Sequence, residues 1–568
     1  MRVNIIGAHK KDTGVSQDAR ILHGMIAHVF GKETEVRYIP HFFPQAPQAE
    51  MNFFIEVINP ALFQYAAKNI WIPNPEWTYQ TWEPYARMVD EIWVKTHEAE
   101  KIFQNWNCKV RYIGWTSIDK VQPEKKNYYK AIVPMGKNIW RNPKPIVQAY
   151  MRIQQTTPTA FAGLPEVHVV YSSQHIQLPA IPESVASKFK MHSEVMPEKD
   201  YDELLQECGL CICLSAAEGF GHAVNEAMSA GCMTLLSPID AFRELTDNAL
   251  WVSNSKMTPH PQCLGHLEDV EVESVVEALY AYMSGHLVWR KSMSNFGRSE
   301  YEARHQAFIK RITEVLTEFK DIPEYKLESK LPKEEDMPCV SVITVTKDRR
   351  PFIPLAKYCF LAQGYPEEKL EWVIVDDGKD QIKDLITDLP NVKYILCDET
   401  KENWTIGAKR NLAVENASHD ILLMLDDDDV YPNNSLVTRV AYMLAEPKKE
   451  CSFCTTIPCF DIHEKKSFMN VPPNTLGMAD RVSEATLCFT REFWKSRPFP
   501  DTQIAEGGAF IRGREHMCRE LSPQDVIVSL THKKTTSSRK APVGESNGCH
   551  YGFSDDLFTL VSEIAESI

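Results

Sequence analysis

Four consecutive aspartates, Asp426 to Asp429, follow the apolar run Ile421 to Leu425 with nothing between. A short apolar run of that kind reads as a buried strand, which delivers the carboxylates together at its end. Carboxylates about 5 Å apart repel by roughly 3 kcal/mol at an effective dielectric of about 20, so something positive must sit among them. A second acid pair, Asp376 and Asp377, ends the strand-like VIVDDG. Between the two lie Lys409, Arg410 and Asn411, at the opening of a helix-like stretch where cations and backbone amides favour phosphate. In open α/β sheets, ligands sit beyond the carboxyl ends of strands, where both acid pairs fall. Alternation along an extended chain puts Asp426 and Asp428 on one side and Asp427 and Asp429 on the other. The D-x-D pair Asp426 and Asp428 would hold a hard divalent cation, with phosphate oxygens completing its shell. An EF-hand is a poor alternative, because Tyr431 stands where that loop needs its turn glycine. The combination predicts a cradle for a metal and a nucleotide diphosphate.

The first half carries a different phosphate signal. In LSAAEGFGHAVNEAMSAG (214–231) a buried strand passes through a glycine turn into a helix. Gly219 and Gly221 let the backbone approach a ligand closely, and the helix start offers unpaired amides. Glu218 stays in the loop, while His222 and Glu226 share one helical face at i, i+4.

The elements around these stretches are legible from their periods. From residue 2 to about 320, strand-like runs (RVNII, EVRYI, NIWIP, EIWVK, VRYIG, KAIVP, VHVVYS, LCICLS, MTLLS) alternate with helical stretches, the pattern of βαβ units with parallel sheets. In the first helix Ser16 is the expected N-cap, and Leu22, Met25, Ile26 and Val29 form its apolar stripe. Nine strands exceed one open sheet, so this region divides near residue 128. Residues 321–337 are charged and Pro-punctuated and read as an exposed linker. A new αβ unit starts at PCVSVITVT (338–346), and no internal repeat relates it to the first half.

Across 568 residues, 43% apolar and 24% charged composition describes a globular protein of several domains. The formal charge of −15 argues against nucleic acid or an anionic membrane as a general partner. No apolar run approaches the length of a transmembrane helix, and MRVNIIGAHKKDTG reads as the start of a domain, not a signal peptide. The cysteines, 15 in number, lie largely in apolar runs, which suits buried thiols in a reducing, cytoplasmic setting. Cys451, Cys454 and Cys459 lack the partners of a zinc site, so core thiols are expected there.

Taken in order, Thr346-x-Asp348-Arg349, IVDDG (374–378), GAKRN (407–411), LDDDD (425–429) and His532 resemble glycosyltransferase family 2 on the GT-A fold. The resemblance covers about 338–545. It implies a nucleotide-sugar donor, with Thr346, Asp348, Asp376 and Asp377 toward the base and Lys409, Arg410 and Asn411 toward the diphosphate. Asp426 and Asp428 would hold Mg²⁺ or Mn²⁺, with His532 a further ligand. The base of this inverting family lies in a Glu-Asp pair. The matching stretch, AEGGAFIRGRE (505–515), supplies Glu506 but has Gly507 in place of the aspartate, so Glu506 is the expected base.

Glu218 and Glu226, spaced E-x₇-E in EGFG…NEAMSAG, resemble the donor site of glycosyltransferase family 4 on the GT-B fold. That resemblance implies that Glu226 grips the donor ribose and Glu218 lies by the transferred sugar. Lys137 and Arg141 would neutralise the diphosphate, with Lys144 a third candidate, and transfer would retain configuration without a metal. The acceptor half would contribute Gly14 and its neighbours. Trp77 and Trp82 are candidates for sugar stacking, although core packing is their commoner role.

The reading is an α/β chain: a GT-B pair of Rossmann-like domains (1–128 for acceptor, 129–320 for donor), a linker (321–337), and a GT-A domain (338–568). Its partners would be nucleotide sugars and a glycan or glycosylated acceptor, each module transferring one sugar, in succession onto one glycan. The alternatives are one active module beside a sugar-binding or scaffolding relic, and a metal-dependent nucleotidyltransferase.

Overall fold

The computed structural model describes the chain except for residues 8–13, 42, 44, 174, 175, 177, 179, 262, 328–331, 399–403, 447, 474, 534 and 536–552. The first sheet has the order β2-β1-β3-β4-β5-β6, all parallel, from β1 (Arg2–Ile6), β2 (Glu35–Ile39), β3 (Ala49–Ile55), β4 (Ala66–Ile72), β5 (Glu91–Val94) and β6 (Val110–Tyr112). Its central strand β3, AEMNFFI, is buried along its whole length, yet it is absent from the strands expected above. Glu50 and Asn52 disguise it. Asn52 is buried because it joins a side-chain ladder across three strands, accepting from Asn4 at 2.9 Å and donating to Asn69 at 3.1 Å. The helix Gly14–Phe30 packs on this sheet through Leu22 and Ile26. It begins before Ser16, which therefore lies in the first turn instead of capping it. The neighbours of Gly14 at 8–13 lie outside the described residues.

The second sheet, β12-β11-β10-β7-β8-β9, is again parallel. It comprises β7 (Asn127–Gly136), β8 (Glu166–Tyr171), β9 (Phe189–His192), β10 (Cys208–Cys213), β11 (Met233–Leu236) and β12 (Leu250–Trp251), followed by the hairpin β13 (Asn254–Pro259) and β14 (His266–Val270). The helix Leu287–Thr317 then returns to the first sheet, where Tyr301, Phe308, Ile312 and Leu316 share a core with Val3, Ile5 and Ile26. The segment after it is not wholly exposed: Tyr325 and Leu327 are buried, and Tyr325 N–H donates to Glu50 at 3.0 Å. Two apolar side chains in charged sequence suffice to pin its start to the first sheet.

The third sheet is mixed, β17-β16-β15-β18-β23-β20-β24. Its strands β15 (Val340–Thr346), β16 (Leu370–Asp376), β17 (Val392–Leu396) and β18 (Ile421–Met424) are parallel. Beside it stands a sheet of order β19-β25-β21-β22, with β19 (Asp429–Val430), β21 (Ile457–Asp461), β22 (Lys466–Asn470) and β25 (Val528–Thr531). The remaining strands are β20 (Cys451–Phe453), β23 (Cys488–Thr490) and β24 (Cys518–Glu520).

The modules do not merely hang on a linker. Phe54, Trp71, Trp82 and Tyr85 share an apolar cluster with Met478, Ala479, Phe489 and Phe510. Across it, Thr81 Oγ1 donates to Thr475 O at 2.9 Å and Arg481 Nη1 to Tyr85 Oη at 3.0 Å. Trp82 is thus core, whereas Trp77 is half-buried beside the first cleft. No disulfide joins the described cysteines, and Cys451, Cys454 and Cys459 are core residues. Among the described residues no helix is long and apolar enough to cross a membrane.

Candidate functional sites

The aspartate run follows the end of a buried strand, as expected, and forms a turn there. β18 stops at Met424, residues 427 and 428 turn, and β19 resumes at Asp429. The expected two-sided alternation therefore fails, and each carboxylate goes its own way. Asp426 lies 3.6 Å from Arg410 Nη2, and Asp427 accepts from Thr346 Oγ1 at 2.5 Å. Asp428 Oδ2 is shared by Arg349 and by His532 Nε2, the latter at 3.2 Å. Asp429 accepts from Leu530 N–H at 3.0 Å and so belongs to the sheet, not the cluster. Burial, helped by the charge of Asp428, pushes the Asp427 carboxyl up to about 7. Burial also opposes the charge on Asp428, but His532 and Arg349 outweigh it and hold that carboxyl low. His532, although followed by two lysines in the sequence, has a fully buried side chain.

The basic residues are equally buried. The helix Ile406–Asn416 starts from Thr405, whose Oγ1 accepts from Ala408 N–H at 3.1 Å, so Lys409 and Arg410 sit a full turn inside it. Lys409 Nζ is 2.6 Å from Asp377, which Lys347 also contacts at 3.0 Å. Arg410 Nη1 is 2.8 Å from Glu506, yet the pair is not aligned as a hydrogen bond. Arg410 Nε and Nη1 have no aligned acceptor among the described residues. Burial disfavours this guanidinium, but Glu506, Asp426 and Glu484 overcome that and hold its proton tightly.

Three expected donor residues serve the scaffold. Asp376 is wholly buried and accepts from Gly378 N–H at 2.8 Å, Ile382 N–H at 3.2 Å and Tyr394 Oη at 2.7 Å. Asp348, at φ 51°, accepts from Lys379 and Asp380 N–H at 2.7 and 3.0 Å. Both carboxylates thus shape the loop after β16. Asn411 bonds Phe499 and Trp494, at 2.9 and 2.8 Å, and turns away from the acids. Asp377 and Thr346 remain with the cluster. Arg349 was visible in the motif without a role; its charge beside Asp428 supplies one.

The first module forms a cleft of about 570 Å³ between its two sheets, a usual size for a ligand site. Gly221, at φ 92°, turns the chain into the helix His222–Ser229. Gly219 lies so close to the first half that a Cβ there would be 2.7 Å from Asn74 Oδ1 and Glu76 Oε2. His222 bridges the halves, with Nδ1 2.8 Å from Ser117 Oγ and Nε2 2.8 Å from Asp18. Burial works against the Asp18 carboxylate, but Lys95 and His222 prevail and lower it. Lys95 also reaches Asn74 at 3.0 Å, and Gln17 donates to Glu226 at 2.9 Å. Gln17 and Asp18 lie beside Gly14, which lines the cleft as expected, whereas Asn74, Glu76 and Lys95 carry no local motif and escape a sequence reading.

Arg141, expected on a diphosphate, is instead 2.6 Å from Glu218, which Ser215 and Asn138 also contact at 3.1 and 3.3 Å. Glu218 and Arg141 are thus paired with each other at the wall of the cleft. Lys137 lines the cleft with no ion pair among the described residues. Lys144 is exposed at the start of its own helix, outside the cleft.

Among the described residues, no group of three or more His, Cys, Asp or Glu side chains is gathered as a metal site. The donor chemistry at Asp426, Asp428 and His532 nevertheless suits a hard divalent ion. Asp426, Asp427, Asp428, Glu484 and Glu506 outnumber the guanidiniums of Arg349 and Arg410 beside them, an imbalance that one divalent cation reduces.

Residues 341–488 match the family model Glycosyl transferase family 2, and residues 172–255 match Glycosyl transferases group 1. No curated protein matches the chain. Among solved structures it is similar to the mannosyltransferase PcManGT from Pyrobaculum calidifontis in complex with GDP-Man and Mn2+, at 19% identity and TM-score 0.28, over 36% of this chain and 60% of that one. TarS 1–349 of S. aureus aligns at 20% identity and TM-score 0.28, over 34% and 60%. Sucrose-phosphate synthase of Thermosynechococcus elongatus aligns at 10% identity and TM-score 0.41, over 56% and 98%. The chain thus spans about 60% of the length of the first two structures. The two partial family matches and the sheet topology support glycosyltransferase-like modules in one chain, of GT-B and then GT-A fold.

Proposed function

We propose that both modules transfer sugars from nucleotide-sugar donors to hydroxyls of a glycan or glycosylated acceptor. The C-terminal module would do so with inversion and a divalent cation, the N-terminal module with retention and none. The observation that carries the C-terminal half is Arg410: a buried guanidinium whose Nε and Nη1 lack aligned acceptors, set between Asp426 and Glu506. Buried donors without acceptors are costly, and an anion with several oxygens removes that cost. A diphosphate is such an anion.

Asp426, Asp428 and His532 would hold Mg²⁺ or Mn²⁺, which when bound offsets the charge on the departing diphosphate. Arg349 would give up its place on Asp428 and turn to phosphate. Lys409, held by Asp377, adds positive potential at the same end of the sheet. Glu506, expected as the proton acceptor, lies 2.8 Å from Arg410 as its counter-charge. In the N-terminal cleft, Lys137 and the amides at the start of His222–Ser229 would stabilise the leaving diphosphate. Glu226, positioned by Gln17, would take the donor ribose, and the Arg141–Glu218 pair would form the wall beside the sugar. The fusion favours successive transfers onto one glycan.

The test is donor turnover by the full chain across a panel of UDP- and GDP-sugars, with Asp428→Asn and Glu226→Ala variants and with chelation. EDTA and Asp428→Asn should each abolish one activity and leave the other, which Glu226→Ala should weaken. Loss of both on chelation would refute the metal-free site. No turnover of any nucleotide sugar would refute the whole reading.

A further inference from the structure

A hydroxyl that attacks a sugar must lose its proton, and the carboxylates at the C-terminal site can be taken one by one. Asp427 is bonded to Thr346, Asp428 to Arg349 and His532, Asp377 is paired with two lysines, and Glu506 lies 2.8 Å from Arg410 as an ion pair. Asp426 lies toward Arg410. Glu484 is different. It begins a short turn, Glu484–Thr486, ahead of β23, and among the described residues its carboxylate has no ion pair and no hydrogen bond to another side chain. The residue as a whole is partly buried.

Its position depends on Gly507. A Cβ at residue 507 would lie 2.6 Å from Glu484 Cγ and 3.1 Å from both Cδ and Oε1. The glycine therefore makes the notch that the Glu484 side chain fills, next to Glu506. A carboxylate from a different chain segment occupies the volume of a side chain that residue 507 lacks.

On the reading that this site transfers sugars, we infer that Glu484 is the proton acceptor for the attacking hydroxyl. As the acceptor oxygen forms its bond to the anomeric carbon, its proton passes to a Glu484 carboxylate oxygen. The bond from that carbon to the diphosphate oxygen breaks, and its electron pair leaves with the nucleoside diphosphate. Glu484 afterwards returns the proton to water. The groups facing it from neighbouring elements are Glu506 from the helix Glu506–Ile511, Arg410 from Ile406–Asn416 and Asp426 from the turn after β18. Burial, with Glu506 next, raises its carboxyl above the ordinary range, which favours accepting a proton near neutral pH.

The experiment uses the full chain in a Glu226→Ala background, with whichever UDP- or GDP-sugar the C-terminal site turns over and water or a p-nitrophenyl glycoside as acceptor. Glu484→Gln should lower kcat roughly 10²- to 10³-fold, change the KM for donor less than about two-fold, and remove the acidic limb of the kcat–pH profile. Glu484→Ala should lose as much. Gly507→Asp added to Glu484→Ala puts a carboxylate back into the emptied notch and should recover about ten-fold or more of that loss. Because the recovery is read against a variant of the same cavity, a merely structural role would not produce it. A Glu484→Gln enzyme with unchanged kcat and pH profile overturns the inference, as does a double variant no better than Glu484→Ala. If the parent chain turns over no nucleotide sugar at all, the functional reading itself falls, a distinct outcome.

Discussion

Replacing Arg410 by Met keeps the length and apolar stem of the side chain and removes its charge. In the native chain Arg410 is 2.8 Å from Glu506 and 3.6 Å from Asp426, with its own side chain about 4% exposed. Breaking a buried ion pair from one side costs about 3–5 kcal/mol, because the partner's charge stays buried without compensation. For a domain of some 230 residues each kcal/mol moves the melting temperature by about 2–4 °C, so the C-terminal transition should drop by roughly 6–20 °C. The sign with pH is set by Asp426 and Glu484, whose carboxyls burial already raises. Loss of the guanidinium raises them further. Groups raised in the folded state contribute stability that is complete at low pH and lost as pH climbs through the folded value. The deficit of Arg410→Met against the parent should therefore be small near pH 5 and large near pH 8. Calorimetric or circular-dichroism melts at both pH values measure it. A loss below about 1 kcal/mol, or one indifferent to pH, would show that water reaches the cluster and that Arg410 is no buried counter-charge.

The N-terminal cleft supplies two more expectations. Burial, with Glu218 and Glu56 adding to it, pushes the Glu76 carboxyl up to about 8 from an ordinary 4.5, so the native chain should lose stability as pH rises through that window. Glu76→Gln should flatten this loss, by up to a few kcal/mol at pH 9; parallel melting curves for parent and variant would rule it out. Gly219→Ala places a methyl 2.7 Å from Asn74 and Glu76 and must displace Asn74 from Lys95 and Glu56. Donor affinity at the first site should fall roughly ten-fold or more, and unaltered binding by titration calorimetry would show that the contact has slack.

Much of the architecture is legible because parallel sheets bury whole strands. Runs such as VNII, LCICL and VSVITV announce themselves by β-branched and apolar residues. β3 escapes because Asn52 is an interior residue only once Asn4 and Asn69 stand beside it, which is a property of the sheet, not of the segment. The acid run shows the opposite failure. Its residues are conspicuous, but period-two reasoning assumes an extended chain, and the turn at 427–428 sends neighbouring carboxylates to unrelated partners. Lys409 and Arg410 stand out by charge, yet their burial follows from Asp377 and Glu506, distant in sequence. Glu484 has no local signature at all. Its meaning arises from an absence at residue 507, which becomes informative only when the two segments are side by side.

The stretch from Asn74 to Tyr85 reaches from the first cleft to the second module. At one end Asn74 and Glu76 press on Gly219; at the other, Thr81 and Tyr85 bond Thr475 and Arg481. A hinge motion that drew the first end away from the glycine turn would pull on the segment leading into Glu484. One short length of backbone thus joins the two, so a ligand that wedges either opening should be felt at the other.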